Sequence, residues 1–303
     1  MSNTGMIRVG VEICTNQLKA VAVDHGGKLA ATRSIAFDPA EETAQQVKSL
    51  IGGLKKDVGD FDRLGVAVPG LVDQGTHRVA FSAHIPEHSN VDLIKEISSA
   101  TGLIVSIEND ANSAAYGEFI LGAARGTNNF FYATLGEGVG GAFILGGEIW
   151  RGASGFAGEF GFVPINSEGM RLEEVASTEN IVRRTKERFH QDSTSSLNAL
   201  DEEAITLDSI IRAASEDDDF AQMMLERTGV YVGTAVASVI NLLNLEMVVV
   251  GGEIMDAKKL VLDAIIERAR ELSFAPSFAA VSIVEGQLGE FAAATGAALL
   301  ADQ

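Results

Sequence analysis

The run IENDANSAAYGE, residues 107–118, sets an amide, Asn109, beside a carboxylate, Asp110, where an apolar β-branched stretch gives way to an alanine-rich one. Two kinds of chemistry suit such a pair. Asn or Asp at a helix start accepts hydrogen bonds from backbone N–H groups that lack an intrahelical partner. A carboxylate beyond the end of a strand also lies where α/β proteins hold their ligands, and there it can take a proton from a hydroxyl. The residues alone leave capping and catalysis both open. Glycine supplies the other candidate chemistry, in the Gly-Gly turns HGGK (25–28) and LGGE (145–148). Backbone N–H groups in such turns can converge on a phosphate that no Cβ obstructs, although the same turns also serve simply to close hairpins.

The elements that must position these residues repeat along the chain. IRVGVEICTNQLKAVAVDHGGKLAATRSIAF (7–37) reads as strand, turn, strand, Gly-Gly turn, strand, and NFFYATLGEGVGGAFILGGEIWRGASGF (129–156) has the same rhythm. RLGVAVPGLV (63–72) matches EMVVVGGEIM (246–255), each an apolar strand ending at glycine. VSIENDANSAAYGEFILGAA (105–124) matches VSIVEGQLGEFAAATGAALL (281–300), each a strand followed by a small-residue helix. A duplication of this kind implies two α/β lobes with a cleft. We place the smaller lobe at residues 1–118 plus 290–303 and the larger at 119–289. A polar helical insertion falls at about 166–228, broken by a Ser-rich stretch at 193–196.

Composition excludes several classes. The formal net charge is −19, so phosphate backbones and anionic membrane surfaces repel the chain, and neither nucleic acid nor membrane is an expected partner. Cys14 is the single cysteine, which excludes an internal disulfide and a cysteine-rich zinc site. MSNTGMIRVGVEI has neither a basic flank nor a long apolar core and does not read as a signal peptide. The apolar run at 230–252 is interrupted by Asn241, Asn244 and Glu246, so it reads as a buried helix followed by a strand. A soluble, cytoplasmic protein is expected.

Four ordered blocks carry a resemblance. ENDANSAAYGE, the stretch from GAARGTNNFF to GFAGEFG, NLLNLEMVVVGGEI and LGEFAAATGAALLA together resemble the ROK family of repressors, open reading frames and sugar kinases. The resemblance implies the duplicated actin-like ATPase fold (ribonuclease H-like, hexokinase-type), and for the kinases ATP and Mg²⁺, a small-molecule sugar and a homodimer. It makes Asp110 the general base toward a sugar hydroxyl. Gly70, Asn109, Glu159 and Glu173 become sugar contacts beside Asp110, the last by matching RLEEVAS to a C-L-E-x-x-x-S segment. Thr15, Gly136, Gly138, Gly140, Gly251 and Gly252 fall on nucleotide-binding blocks, and Glu12 on the acidic residue that helps organise Mg²⁺.

The chain departs from the family pattern at definite places. Where the kinases carry D-x-G-G-T, this chain reads EICTN, with Cys14 and Thr15 in place of both glycines and Asn16 in place of threonine. Glu137 stands where Thr is common, His84 where Asn is usual, and Phe162 where a zinc-binding His is expected. No zinc is expected, and the loop from Asn166 to Leu172 must be held by packing or be mobile. The resemblance therefore implies a glucokinase-like sugar kinase acting on a hexose or N-acetylhexosamine. The alternative is a sugar-binding homologue or sensor that has lost phosphoryl transfer. A DNA-binding repressor is disfavoured, because the chain begins almost directly with its first strand.

Overall fold

The computed structural model describes residues 7–73 and 75–302; the first six residues of the stretch read as lacking a signal peptide lie outside them. Two compact units emerge. One comprises residues 1–126, 142–157 and 287–303, and the other residues 127–141 and 158–286.

In the first unit, strands β1 (Arg8–Ile13), β2 (Gln17–Val23) and β3 (Leu29–Ala36) form two hairpins. Helix α1 (Thr43–Val58) buries Ala44, Val47, Leu50, Ile51 and Leu54, the spacing of one helical face. Strand β4 (Arg63–Val68) leads through the small hairpin β5 (Leu71–Asp73) and β6 (Arg78–Phe81) to α2 (Leu93–Thr101), β7 (Ile104–Asn109) and α3 (Asp110–Ile120). The five-stranded sheet has the order β3-β2-β1-β4-β7, antiparallel through the hairpins and parallel from β1 to β4 to β7.

The second sheet repeats this plan. Strands β8 (Phe130–Leu135), β9 (Val139–Leu145) and β10 (Glu148–Ile149) are followed by α4 (Glu173–Ala176), α5 (Thr178–Lys186), α6 (Leu207–Ser215) and α7 (Asp219–Leu243). Then come β11 (Met247–Gly251), α8 (Lys259–Leu272), α9 (Ala275–Ala280) and β12 (Ser282–Glu285). The order β10-β9-β8-β11-β12, with β8, β11 and β12 parallel, mirrors the first sheet strand for strand. The segment read as a helical insertion holds α4, α5 and α6 with several single 3₁₀ turns between them. The acidic run at 216–219 contains the start of α7, where the Asp218 carboxylate accepts the Ala221 N–H.

The last helix, α10 (Ala292–Leu300), is buried along its whole length and packs on α3 and on β1 and β4. Small residues make that approach possible. A Cβ added to Gly10 or Gly65 would lie within about 2 Å of an α10 backbone oxygen, and one on Gly296 would strike the Ser113 carbonyl of α3. Helix α3, which begins at Asp110, is thereby clamped by backbone-to-backbone contact.

Candidate active site

The β7–α3 junction carries a connected polar network. Asn109 caps α3: its Oδ1 accepts the Asn112 N–H at 3.0 Å. Its Nδ2 donates to the Gly70 carbonyl at 3.1 Å and to Asp110 Oδ1 at 2.9 Å. The Ala111 N–H also reaches Asp110 Oδ1, at 2.8 Å. Capping and the candidate catalytic role are thus divided between neighbours, with Asn109 doing the capping. Gly70 contributes its carbonyl to hold the Asn109 amide. Burial raises the pKa of Asp110 above the usual carboxylate range, opposed in part by the Ala111 N–H, by the nearby His84 and by the Asn109 amide. A raised pKa makes a stronger base, provided the carboxylate is ionised.

Glu12, at the end of β1, belongs to the same cluster. Across the β1–β2 hairpin it faces Lys19, whose Nζ lies 4.0 Å from Oε2, too far for a hydrogen bond. Glu12 Oε2 is buried and has no hydrogen-bond partner. Burial raises the Glu12 pKa to about 7; Lys19 pulls it down and Asp110 pushes it further up. Lys19 also donates to the Glu290 carbonyl at 3.1 Å. Cys14 and Thr15 lie in the turn beyond, where the Cys14 N–H donates to the Gln17 carbonyl at 2.9 Å. Burial pushes the Cys14 thiol well above its ordinary range, so it is not a reactive thiolate.

In the second unit the candidates meet around the β8–β9 turn. The Gly136 N–H donates to the Gly138 carbonyl at 3.0 Å, and the Gly136 carbonyl accepts the Thr178 N–H at 2.8 Å. Thr178 Oγ1 donates to Glu253 Oε1, just beyond Gly251 and Gly252. These glycines have a packing reason. A Cβ on Gly251 would meet the Tyr132 hydroxyl at 2.3 Å, and one on Gly252, whose φ is +95°, would meet the Leu135 carbonyl at 2.2 Å. Glu173, the first residue of α4, accepts the Val139 N–H on Oε2 at 2.9 Å, so its carboxylate braces the stretch that holds Gly138 and Gly140. Glu159 is exposed and starts a 3₁₀ turn over Phe160–Phe162.

The loop without its zinc motif is held by packing and local hydrogen bonds. Phe162 lies under the Arg171 guanidinium, 4.7 Å from the ring centroid. Asn166 Oδ1 accepts the N–H groups of Glu168 and Met170, and the Leu172 N–H returns to the Val163 carbonyl. Among the described residues no group of three or more His, Cys, Asp or Glu side chains is placed to hold a metal ion.

Two carboxylates escaped the sequence reading. Glu108, next to Asn109, is 7% exposed and fully engaged. Its Oε1 accepts the Asn109 N–H and the Asn112 amide, and its Oε2 accepts Arg151 Nε at 3.0 Å and Nη2 at 2.5 Å. Glu118, 1% exposed in α3, accepts the N–H groups of Ala123, Gln287 and Leu288. The available signal was a carboxylate embedded in an apolar strand or an alanine-rich helix, where burial demands partners.

The ROK family model matches residues 8–303. A glucokinase of Thermotoga maritima is 30% identical over 308 aligned positions, covering 93% of this chain and 96% of that one. A ROK glucokinase structure from Streptomyces griseus, in complex with glucose and AMPPNP, aligns with a TM-score of 0.89 at 29% identity, covering 98% of this chain and 99% of that one. The xylose repressor of Bacillus subtilis is 27% identical over 77% of this chain, which spans 59% of that protein. The duplicated sheets are those of the actin-like, hexokinase-type fold.

Proposed function

From the premise that the chain belongs to the ROK family, we propose that it is an ATP-dependent sugar kinase, transferring the γ-phosphoryl group to the primary hydroxyl of a hexose or N-acetylhexosamine. The observation that carries this reading is the β7–α3 junction. Asp110 presents a half-buried carboxylate whose Oδ1 accepts the Asn109 amide and the Ala111 N–H, and in this reading Oδ2 receives the proton. The sugar oxygen forms the new bond to phosphorus as the bond to the β-phosphate oxygen breaks. The hydroxyl proton passes to Asp110, and ADP leaves. Little proton abstraction is needed before a loose phosphoryl-transfer transition state, so a carboxylate suffices. Asn109, Glu159 and Glu173 are the further candidates for the sugar hydroxyls, as acceptors and amide donors suited to vicinal diols.

Glu12 is the residue that would hold Mg²⁺ together with the nucleotide phosphates. Its buried Oε2, which has no hydrogen-bond partner, fits that use, and Mg²⁺ is commonly held by only one or two carboxylates plus phosphates. The ion would neutralise charge on the transferring group. Gly136, Gly138, Gly140, Gly251 and Gly252 belong to the nucleotide side of the proposal, with Thr15 in the altered first turn. A homodimer completes it on family resemblance alone, which light scattering of the purified protein would test, and a cytoplasmic location follows from the sequence reading.

A coupled ADP-release assay with ATP and Mg²⁺, across a panel of hexoses and amino sugars, tests the activity. A second reading, a sugar sensor without phosphoryl transfer, draws on the side chains of Cys14 and Thr15 in place of glycine. Saturable glucose binding by calorimetry with no ADP release from any sugar would favour it.

A further inference from the structure

Arg184, near the end of α5, is 5% exposed, yet no carboxylate among the described residues pairs with it. Its Nη2 donates to Thr228 Oγ1 at 2.7 Å, and its guanidinium lies over the Tyr231 ring, 5.4 Å from the centroid. Nε and Nη1 are buried with no acceptor. Fully buried arginine is rare unless paired, and a buried charged donor without an acceptor is costly.

The charges nearest Arg184 make the imbalance worse. Arg227, Arg188 and Arg183 all repel it. Burial, with these neighbours, lowers its pKa to about 10, so it stays charged at neutral pH. Arg183 has a partner in Glu187, but neither Arg188 nor Arg227 forms an ion pair among the described residues. Arg227 Nε donates only to the Tyr231 hydroxyl, at 2.9 Å. Arg227 is exposed and Arg188 half-buried, so the cluster reaches the surface. A basic cluster in a chain of net charge −19 has abundant carboxylates to choose from, and three of these guanidinium groups take none.

We infer that Arg184, Arg188 and Arg227 form a binding site for the phosphate group of a small anion. Several oxygen acceptors on one compact anion match the orphaned Nε–H and Nη1–H of Arg184 together with the donors of its neighbours, and guanidinium is suited to such oxyanions. Tyr231 and Arg227, joined at the surface, form the side that must shift to admit it. The inference does not depend on the kinase reading.

Calorimetric titration with inorganic phosphate, against sodium chloride at equal ionic strength, tests it; a hexose phosphate forms a second arm. Each of Arg188→Gln and Arg227→Gln should weaken phosphate binding about tenfold or more, since a hydrogen bond to a charged group contributes roughly 1.5–3 kcal/mol. Arg184→Met should abolish it. Should that variant fail to fold, the two surface variants suffice. Tighter binding of the hexose phosphate would identify a phosphate ester as the ligand, and equal binding would identify free phosphate. No phosphate binding beyond the chloride control would overturn the inference. So would equal affinity in wild type and both surface variants, which would assign the phosphate to the glycine-rich turns.

Discussion

The first hairpin turns of the two sheets occupy equivalent places, but they have treated glycine differently. In the β1–β2 turn, Cys14 and Thr15 stand where the family has glycine, and none of Cys14, Thr15 and Asn16 has a positive φ. Side chains sit there without backbone strain. The β8–β9 turn keeps its glycines. They too lack positive φ, yet a Cβ on Gly141 would lie 2.5 Å from the Phe131 ring. At the second hairpin turn of each sheet the backbone itself asks for glycine: φ is +79° at Gly27, +63° at Gly146 and +81° at Gly147. Conformation thus requires glycine at the second turns and packing requires it at Gly141, inside β9, whereas Gly136 in the β8–β9 turn is required by neither: a Cβ there would meet only Glu253, at 3.7 Å. At positions 14 and 15 only a ligand approaching the backbone would have required it.

If the chemistry survives this asymmetry, it rests on Asp110, and the largest expected effect is there. Asp110→Asn should lower turnover by about 10²–10⁴, the usual cost of removing a general base, while sugar affinity measured by calorimetry stays near wild type. Turnover close to wild type would remove Asp110 from the mechanism and leave the altered first turn without a catalytic partner.

Glu12, beside that turn, should tie stability to pH. Its folded pKa of about 7 lies above the ordinary 4.5, so between those values the folded state holds the proton more tightly than the unfolded chain. Stability from this group is then lost as pH rises through that window. The loss totals about 3 kcal/mol by linkage, to order of magnitude. Urea midpoints without Mg²⁺ should give Glu12→Gln a growing advantage over wild type between pH 5 and 8. Parallel profiles would mean that Glu12 is better solvated than its burial indicates.

Gly141→Ala should destabilise the second sheet by about 1–3 kcal/mol, because the new methyl must displace Phe131 in a packed interior. Cys14→Gly should cost less, about 0.4–1 kcal/mol, through the freedom it adds to the unfolded chain. Chemical denaturation of both variants checks this. Equal losses would erase the distinction between a packing glycine and a ligand glycine.

The last effect is on affinity and concerns Glu137, which is exposed in the kept turn. Replacing it by Thr should tighten binding of a non-hydrolysable ATP analogue with Mg²⁺ by about tenfold, since solvent and the cation screen a carboxylate facing phosphate. No change would mean that Glu137 points away from the nucleotide.

What the sequence determined by itself were the features whose cause is local. Alternating or continuous apolar runs between glycine turns fixed the strands, and their repeated order implied the paired sheets later found in the structure. The Asn109–Asp110 pair was legible because helix capping acts over three residues. Tertiary structure decided which carboxylates are held and by what. Glu108 finds Arg151 across 43 positions, Glu118 finds Leu288 across 170, and Lys19 reaches Glu290 across 271. A local pattern can announce that a buried carboxylate needs partners. It cannot name them, because the partner is set by which backbones the packing of α10, α3 and the first sheet brings within hydrogen-bond reach. The arginines around Tyr231 are of the same kind: only the packing of α5 on α7 buries Arg184 among them.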